Sequence, residues 1–221
     1  MSPEIIRLIY EATLDTLTMV SVAMAFATLA GLPLGVLLAT SGPKELLAAP
    51  ILNRVLGLIV NATRSTPFII LVVAIIPFTR LIAGTSIGTR AAIVPLTVAA
   101  APFIARVVEA AIREVDPGLI EAARAMGASP LQIIVKVLLQ EATPAIVMAL
   151  TLTVVSLIGY SAMVGAVGGG GLGDLGIRYG YQRFMPEMML AVVVVLIALV
   201  QIVQSAGDYL ARRVNRRLRH R

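Results

Sequence analysis

Few residues of this 221-residue chain could carry chemistry, and most of them fail on position. There is no cysteine, so thiolate nucleophiles, disulfides and thiolate metal sites are excluded. The single histidine, His220, sits in a basic tail, which removes a Ser–His dyad and a histidine metal site. Only an acid or Ser–Lys mechanism would remain for an enzyme, and no suitably placed pair exists. Gly171-x-Gly173-x-x-Gly176 has the spacing of a dinucleotide fingerprint, but no strand precedes it and its surroundings are apolar, so that reading is rejected. A metal site is not expected. The segment that does stand out is charged and punctuated: Asp116-Pro117-Gly118-Leu119-Ile120-Glu121-Ala122-Ala123-Arg124-Ala125-Met126-Gly127-Ala128-Ser129-Pro130, running on to Glu141.

The elements that would position this segment are apolar. Hydrophobic residues make up 58% of the chain and charged residues 14%, with a mean hydropathy of +0.94. Soluble domains hold about 45–50% apolar and about 25% charged residues, so the expected solvent is a bilayer. Uncharged runs at 16–43, 142–173 and 188–207 each reach the roughly 20 residues that a crossing helix needs. Two shorter runs, 65–79 and 91–105, are flanked by Arg64, Arg80, Arg90 and Arg106, whose long side chains extend the usable span. Five spans are expected, at 13–40, 55–82, 89–113, 141–163 and 186–211; the alternative is three spans and a re-entrant hairpin. The fold class is all-α integral membrane, in a single transmembrane domain over 1–221. The first residues carry Glu4, Arg7 and Glu11, unlike a cleavable signal peptide.

Charge sets the expected orientation. Six arginines (Arg212, Arg213, Arg216, Arg217, Arg219 and Arg221) crowd a tail at 212–221 directly after the last span. With the C-terminus inside, these six join Lys44, Arg54, Arg64, Arg106, Arg113, Arg124 and Lys136 on the inner side. Only Arg7, Arg80, Arg90, Arg178 and Arg183 then lie outside. That asymmetry puts the N-terminus outside and the segment at 116–140 in the cytoplasm. The net charge of +6 is read as a membrane anchor, not a nucleic-acid surface.

Within that segment the local signals predict helix, bend, helix. Asp116 suits an N-cap, Pro117 the first helical position and Glu121 the positive end of the helix dipole. Leu119, Ile120, Ala123 and Met126 fall along one side. Gly127 suits a left-handed C′ position. Ser129 and Gln132 form a capping box with Pro130 between them, and a second helix with apolar Ile133, Ile134, Val137 and Leu138 follows. A bland reading is a hairpin lying on lipid; the other is a compact helix inserted in a partner's groove, with Ala122 and Ala123 permitting close approach.

Glu121, Ala122, Ala123 and Gly127, followed by Val137 and Leu139, resemble the Glu-Ala-Ala-x-x-x-Gly motif of ABC importer permeases, with Gln140 where the family has proline and the next proline at Pro144. The blocks 64–70, 76–80, 84–88, 93–97, 101–106 and 159–163 look like the methionine-uptake branch of that family, and the likeness runs from about residue 12 to 210. This resemblance implies the type I importer permease fold and a non-catalytic subunit of a bacterial inner-membrane importer for D- and/or L-methionine. It implies a homodimer, a cytoplasmic ATPase dimer carrying ATP and Mg, an extracytoplasmic binding protein, and no cofactor in this chain. It assigns ATPase contact to Glu121, Ala122, Ala123 and Gly127, and a gate on the fourth span to Met163, Tyr160 and Ser161. Another small amino acid is the alternative substrate. A secondary transporter would need buried ionisable groups or an internal repeat, and the uncharged runs inside spans one, four and five (16–40, 142–163 and 188–207) hold no such group. A scaffold without transport activity is a further alternative.

Four features are left to the structure. Gly31-x-x-x-Gly35 and Gly165-x-x-x-Gly169 are candidate helix-contact seams, including between copies. The glycine-rich stretch from 159 to 173 is expected to be irregular, at an outer pore mouth. Thr151, Thr153 and Ser156 either line a weakly polar path or bond back to helix carbonyls.

Overall fold

In the computed structural model, residues 3–43 and 45–219 are described, with side chains to Asn215. Lys44, His220 and Arg221, and the side chains of Arg216, Arg217 and Arg219, which the sequence places at the inner face, lie outside the described residues. Every regular element among the described residues is helical. Four helical stretches are long and apolar enough to cross a membrane, and a bent helix pair brings the number to as many as five.

The first helix, α1 (Pro3–Thr40), is longer than expected and runs through Pro33. Four of its threonines bond back to the helix: Thr13, Thr16, Thr18 and Thr40 each donate to the carbonyl four residues back. The second expected span, 55–82, is not one helix. It is divided into α2 (Pro50–Ser65), α3 (Phe68–Ala74) and α4 (Ile76–Ala83). Between α2 and α3 the axis turns by 104°. Pro67 stands at the turn, where it lacks an N–H and disfavours helical geometry at Thr66. Pro77 opens α4, and Gly84 closes it at φ 73°. The chain then forms α5 (Thr89–Arg113).

After α6 (Pro117–Ala125) and α7 (Pro130–Ile133), the chain enters a wide π turn (Ile134–Leu138) and continues as α8 (Leu139–Ala166). The stretch Pro130–Ala166 is one continuous 37-residue candidate span. No break falls at Gln140 or Pro144, so the second helix of the charged segment and the fourth span are one body. Thr151 bonds back to Val147 O at 2.9 Å, and Thr153 is buried.

The glycine-rich stretch is more ordered than expected. After a short turn with positive φ at Gly168, Gly170 and Gly171, it forms α9 (Gly171–Leu175) and a second π turn (Gly176–Gln182) before α10 (Pro186–Arg219). Close packing is the reason. A Cβ on Gly173 would stand 2.5 Å from Ala162 O, and one on Gly171 would stand 2.6 Å from Thr16 Oγ1. Thr16 Oγ1 accepts from Leu172 N at 2.9 Å. The fingerprint-like spacing thus serves helix contact.

The residues divide into two compact units. Among the described residues, one comprises those up to 27 with 66–100 and 153–204; the other comprises those from 28 to 65 with 101–152 and those from 205 on. In the first, Ala12, Leu172, Leu175, Met188 and Val192 form an apolar cluster. In the second, Leu38, Val60 and Ala105 do so with Leu34 and Leu56. Both candidate glycine seams lie inside one chain and are used there. Cβ atoms on Gly31 and Gly35 would each stand 2.6 Å from a carbonyl oxygen of α5 (Ala101 and Ala105), and one on Gly165 would stand 3.0 Å from Gly173 Cα.

Candidate coupling segment and pathway residues

The charged segment is built as its caps predict. Asp116 Oδ1 accepts from Gly118 N at 2.7 Å, with Pro117 at the first position of α6. At the other end Gly127 takes φ 78°. Gly127 N donates to Arg124 O at 2.9 Å and Ala128 N to Ala123 O at 3.0 Å, the paired bonds of a Schellman stop. Ser129 and Gln132 complete a reciprocal capping box: Ser129 N donates to Gln132 Oε1 at 2.9 Å and Gln132 N to Ser129 Oγ at 3.4 Å. Each of these bonds closes within five residues, so the bend is fixed by its own sequence.

The four motif residues do not share one surface. Glu121, Ala122 and Gly127 are exposed, whereas Ala123 is 5% exposed and faces its own chain. This corrects the expectation that Ala123 offers itself to a partner: its small side chain lets α6 lie close to the protein. Met126, expected on the same apolar side as Ala123, is 81% exposed, as Leu119 and Leu131 are to lesser degrees. Leu119, Met126 and Leu131 are therefore large apolar groups left uncovered around the rigid bend. Sequence reasoning missed this because helical spacing marks an apolar side, not which neighbour covers it.

The three gate residues also part company. Met163 is 47% exposed. Tyr160, one turn before it on α8, stacks on Phe68 at 4.5 Å between ring centroids and 13° between planes. Phe68 is the first residue of α3, directly after the 104° bend. Ser161 is buried and donates to Ile158 O at 2.7 Å, so its hydroxyl is spent within its own helix. Val72, Ile76, Thr79, Val164, Val167 and Gly169 are among the residues around a small cleft of about 20 Å³, room for about one water.

One charged cluster was not legible in advance. Arg106, expected to reach outward from a helix end, instead bonds Glu109 at 2.6 Å, Gly57 O at 3.1 Å and Asn61 Oδ1 at 2.9 Å. Glu109 also meets Arg113 at 3.0 Å. The cluster ties α5 to α2, and Glu109 is buried. Its i, i+3 and i+4 spacing was the available signal. Among the described residues no group of histidine, cysteine, aspartate or glutamate could hold a metal ion.

Residues 31–219 match the family described as binding-protein-dependent transport system inner membrane component. The probable D-methionine transport system permease protein MetI of Vibrio cholerae is 57% identical over 210 residues, 95% of this chain and 93% of its own length. The D-methionine transport system permease protein MetI of Escherichia coli K12 is 55% identical over 165 residues, 75% of this chain and 76% of its own. Among solved structures, an inward facing conformation of the MetNI methionine ABC transporter aligns with a TM-score of 0.95 at 53% identity, covering 97% of this chain and 99% of that one. An amino acid ABC transporter aligns with a TM-score of 0.79 at 19% identity, over 94% of both chains, a likeness of fold alone.

Proposed function

Because this chain belongs to the family of binding-protein-dependent transport system inner membrane components, we propose that it is the permease subunit of an ATP-driven importer of methionine. The observation that carries the reading is the agreement with the methionine transporter structure over 97% of the chain. Two copies form the conduit, a pair of cytoplasmic ATPase subunits drives it, and an extracytoplasmic binding protein delivers the substrate. The chain itself breaks no bond; ATP and Mg act on the partner.

Coupling passes through the capped bend at Gly127. Leu119, Met126 and Leu131 seat in the ATPase, with Glu121 and Ala122 beside them, while Ala123 fastens α6 to the permease. Since α7, the π turn and α8 are one helical body, a displacement at the bend is delivered along α8. Tyr160 and Met163 lie near its far end, where Met163 supplies a soft, adaptable plug. Closure of the ATPase pair on ATP opens the conduit outward, and hydrolysis returns it inward.

The test is uptake of labelled methionine into vesicles containing this chain, its ATPase and its binding protein. Uptake is expected only with ATP and all three components. Accumulation with the ATPase omitted would refute the reading.

A further inference from the structure

Pro144 and Met148 of α8, with Asp208, Ala211, Arg212 and Asn215 of α10, line an open cleft of about 270 Å³. All six residues belong to the same compact unit. One wall is apolar. The other carries an acid and a base one helical turn apart, the spacing at which such side chains usually meet. Here they do not pair: among the described residues, neither Asp208 nor Arg212 has an ion-pair partner. An acid and a base that line one cleft and leave each other free match a dipolar ligand, with an anionic group for the guanidinium and an N–H donor for the carboxylate.

The setting identifies the source of that ligand. Of the long apolar stretches, α10 is the least covered, with 11% of its apolar window buried. Ile202, Tyr209 and Leu210 of the same helix are exposed. A tyrosine followed by Arg212 and Arg213 at the end of an apolar helix marks the level of lipid headgroups. The cleft falls just below the roughly 300–1,000 Å³ of sites that swallow a whole small ligand, a size suited to a headgroup whose chains remain in the bilayer.

We propose that this cleft binds a phosphatidylethanolamine headgroup. The phosphate rests on Arg212 and Asn215, the primary ammonium donates to Asp208, and an acyl chain runs along Met148 and the apolar face of α10. The proposal rests on the reading of the α10 end as lying at the membrane surface, but not on transport.

Native mass spectrometry of the purified full-length chain, without nucleotide, tests it with dioleoyl phosphatidylethanolamine, dioleoyl phosphatidylcholine and free methionine as probes. Phosphatidylethanolamine is expected to be retained about fivefold over phosphatidylcholine, whose quaternary ammonium has no N–H to donate. Arg212→Gln lowers retention of both lipids about fivefold, the worth of one arginine at a lipid surface, and Arg212→Lys keeps most of it. Asp208→Asn removes the preference between the two lipids. Equal retention in the wild type, unchanged retention in Arg212→Gln, or displacement of the lipid by millimolar methionine would each overturn the proposal. Because retention is read by mass alone, its failure leaves ATP-driven uptake untouched, and failure of uptake leaves it standing.

Discussion

Gly127 offers the sharpest test of the coupling segment, because its environment isolates one physical term. No atom lies within 4 Å of where a Cβ would stand, so a side chain there meets nothing. What remains is the backbone: φ is 78°. Holding an L-residue in this left-handed region costs about 1–2 kcal/mol, less for asparagine and more for a β-branched residue. The bend is held by the two bonds to Arg124 O and Ala123 O, each worth about 1 kcal/mol net. Alanine at 127 therefore offsets about half of what fixes the bend, and valine offsets all of it. A change of one or two kcal/mol shifts the ratio of ordered to opened bend by about 5- to 30-fold. Uptake per ATP hydrolysed should fall in the order glycine, asparagine, alanine, valine, with asparagine near wild type. The assay measures hydrolysis and methionine accumulation in the same vesicles, with the amount of inserted protein checked by immunoblot. Wild-type coupling in Gly127→Val at normal abundance, or an asparagine variant as impaired as valine, would refute the argument that a fixed bend carries the load.

Four further outcomes are expected. Gly173→Ala places a methyl group against Ala162 backbone that cannot yield, so thermal unfolding followed by circular dichroism should show a loss of about 1–3 kcal/mol. Gly159→Ala, with no atom within 4 Å of its added Cβ and helical backbone, should be neutral or stabilising by up to about 1 kcal/mol. Arg106→Met strands buried Glu109 with only Arg113, a loss of about 2 kcal/mol, short of the roughly 3–5 of a pair broken outright; Arg106→Met with Glu109→Met should recover much of it in the same melt. On the cysteine-free background, Ala122→Cys should cross-link to the ATPase while Ala123→Cys, facing inward, should not; strong linking from position 123 would reverse the orientation given for α6.

Much of this protein is decided over a few residues. The apolar runs and the asymmetry of lysine and arginine define a membrane chain before any contact is known. Asp116, Pro117, Gly127, Ser129 and Gln132 dictate a capped bend because every bond they make closes within five residues. Those signals carry their own partners, so reading the sequence is enough.

Other features wait on which surfaces meet. Pro67 turns the chain by 104°, yet Pro33 and Pro144 sit inside continuous helices; the ring removes the same donor each time, and the surroundings decide whether the axis holds. Glycine spacing announced close approach but not its partner: Gly31 and Gly35 meet α5, and Gly173 meets Ala162, all within one chain. Ala122 and Ala123 are identical in type and adjacent, and only packing makes one exposed and the other buried. Ser161 is spent on its own helix while Met163 stays open, and Arg106 turns inward to Glu109. Local hydrogen bonds are written in order along the chain; burial is a property of neighbours far apart in it, and only the tertiary structure brings them together.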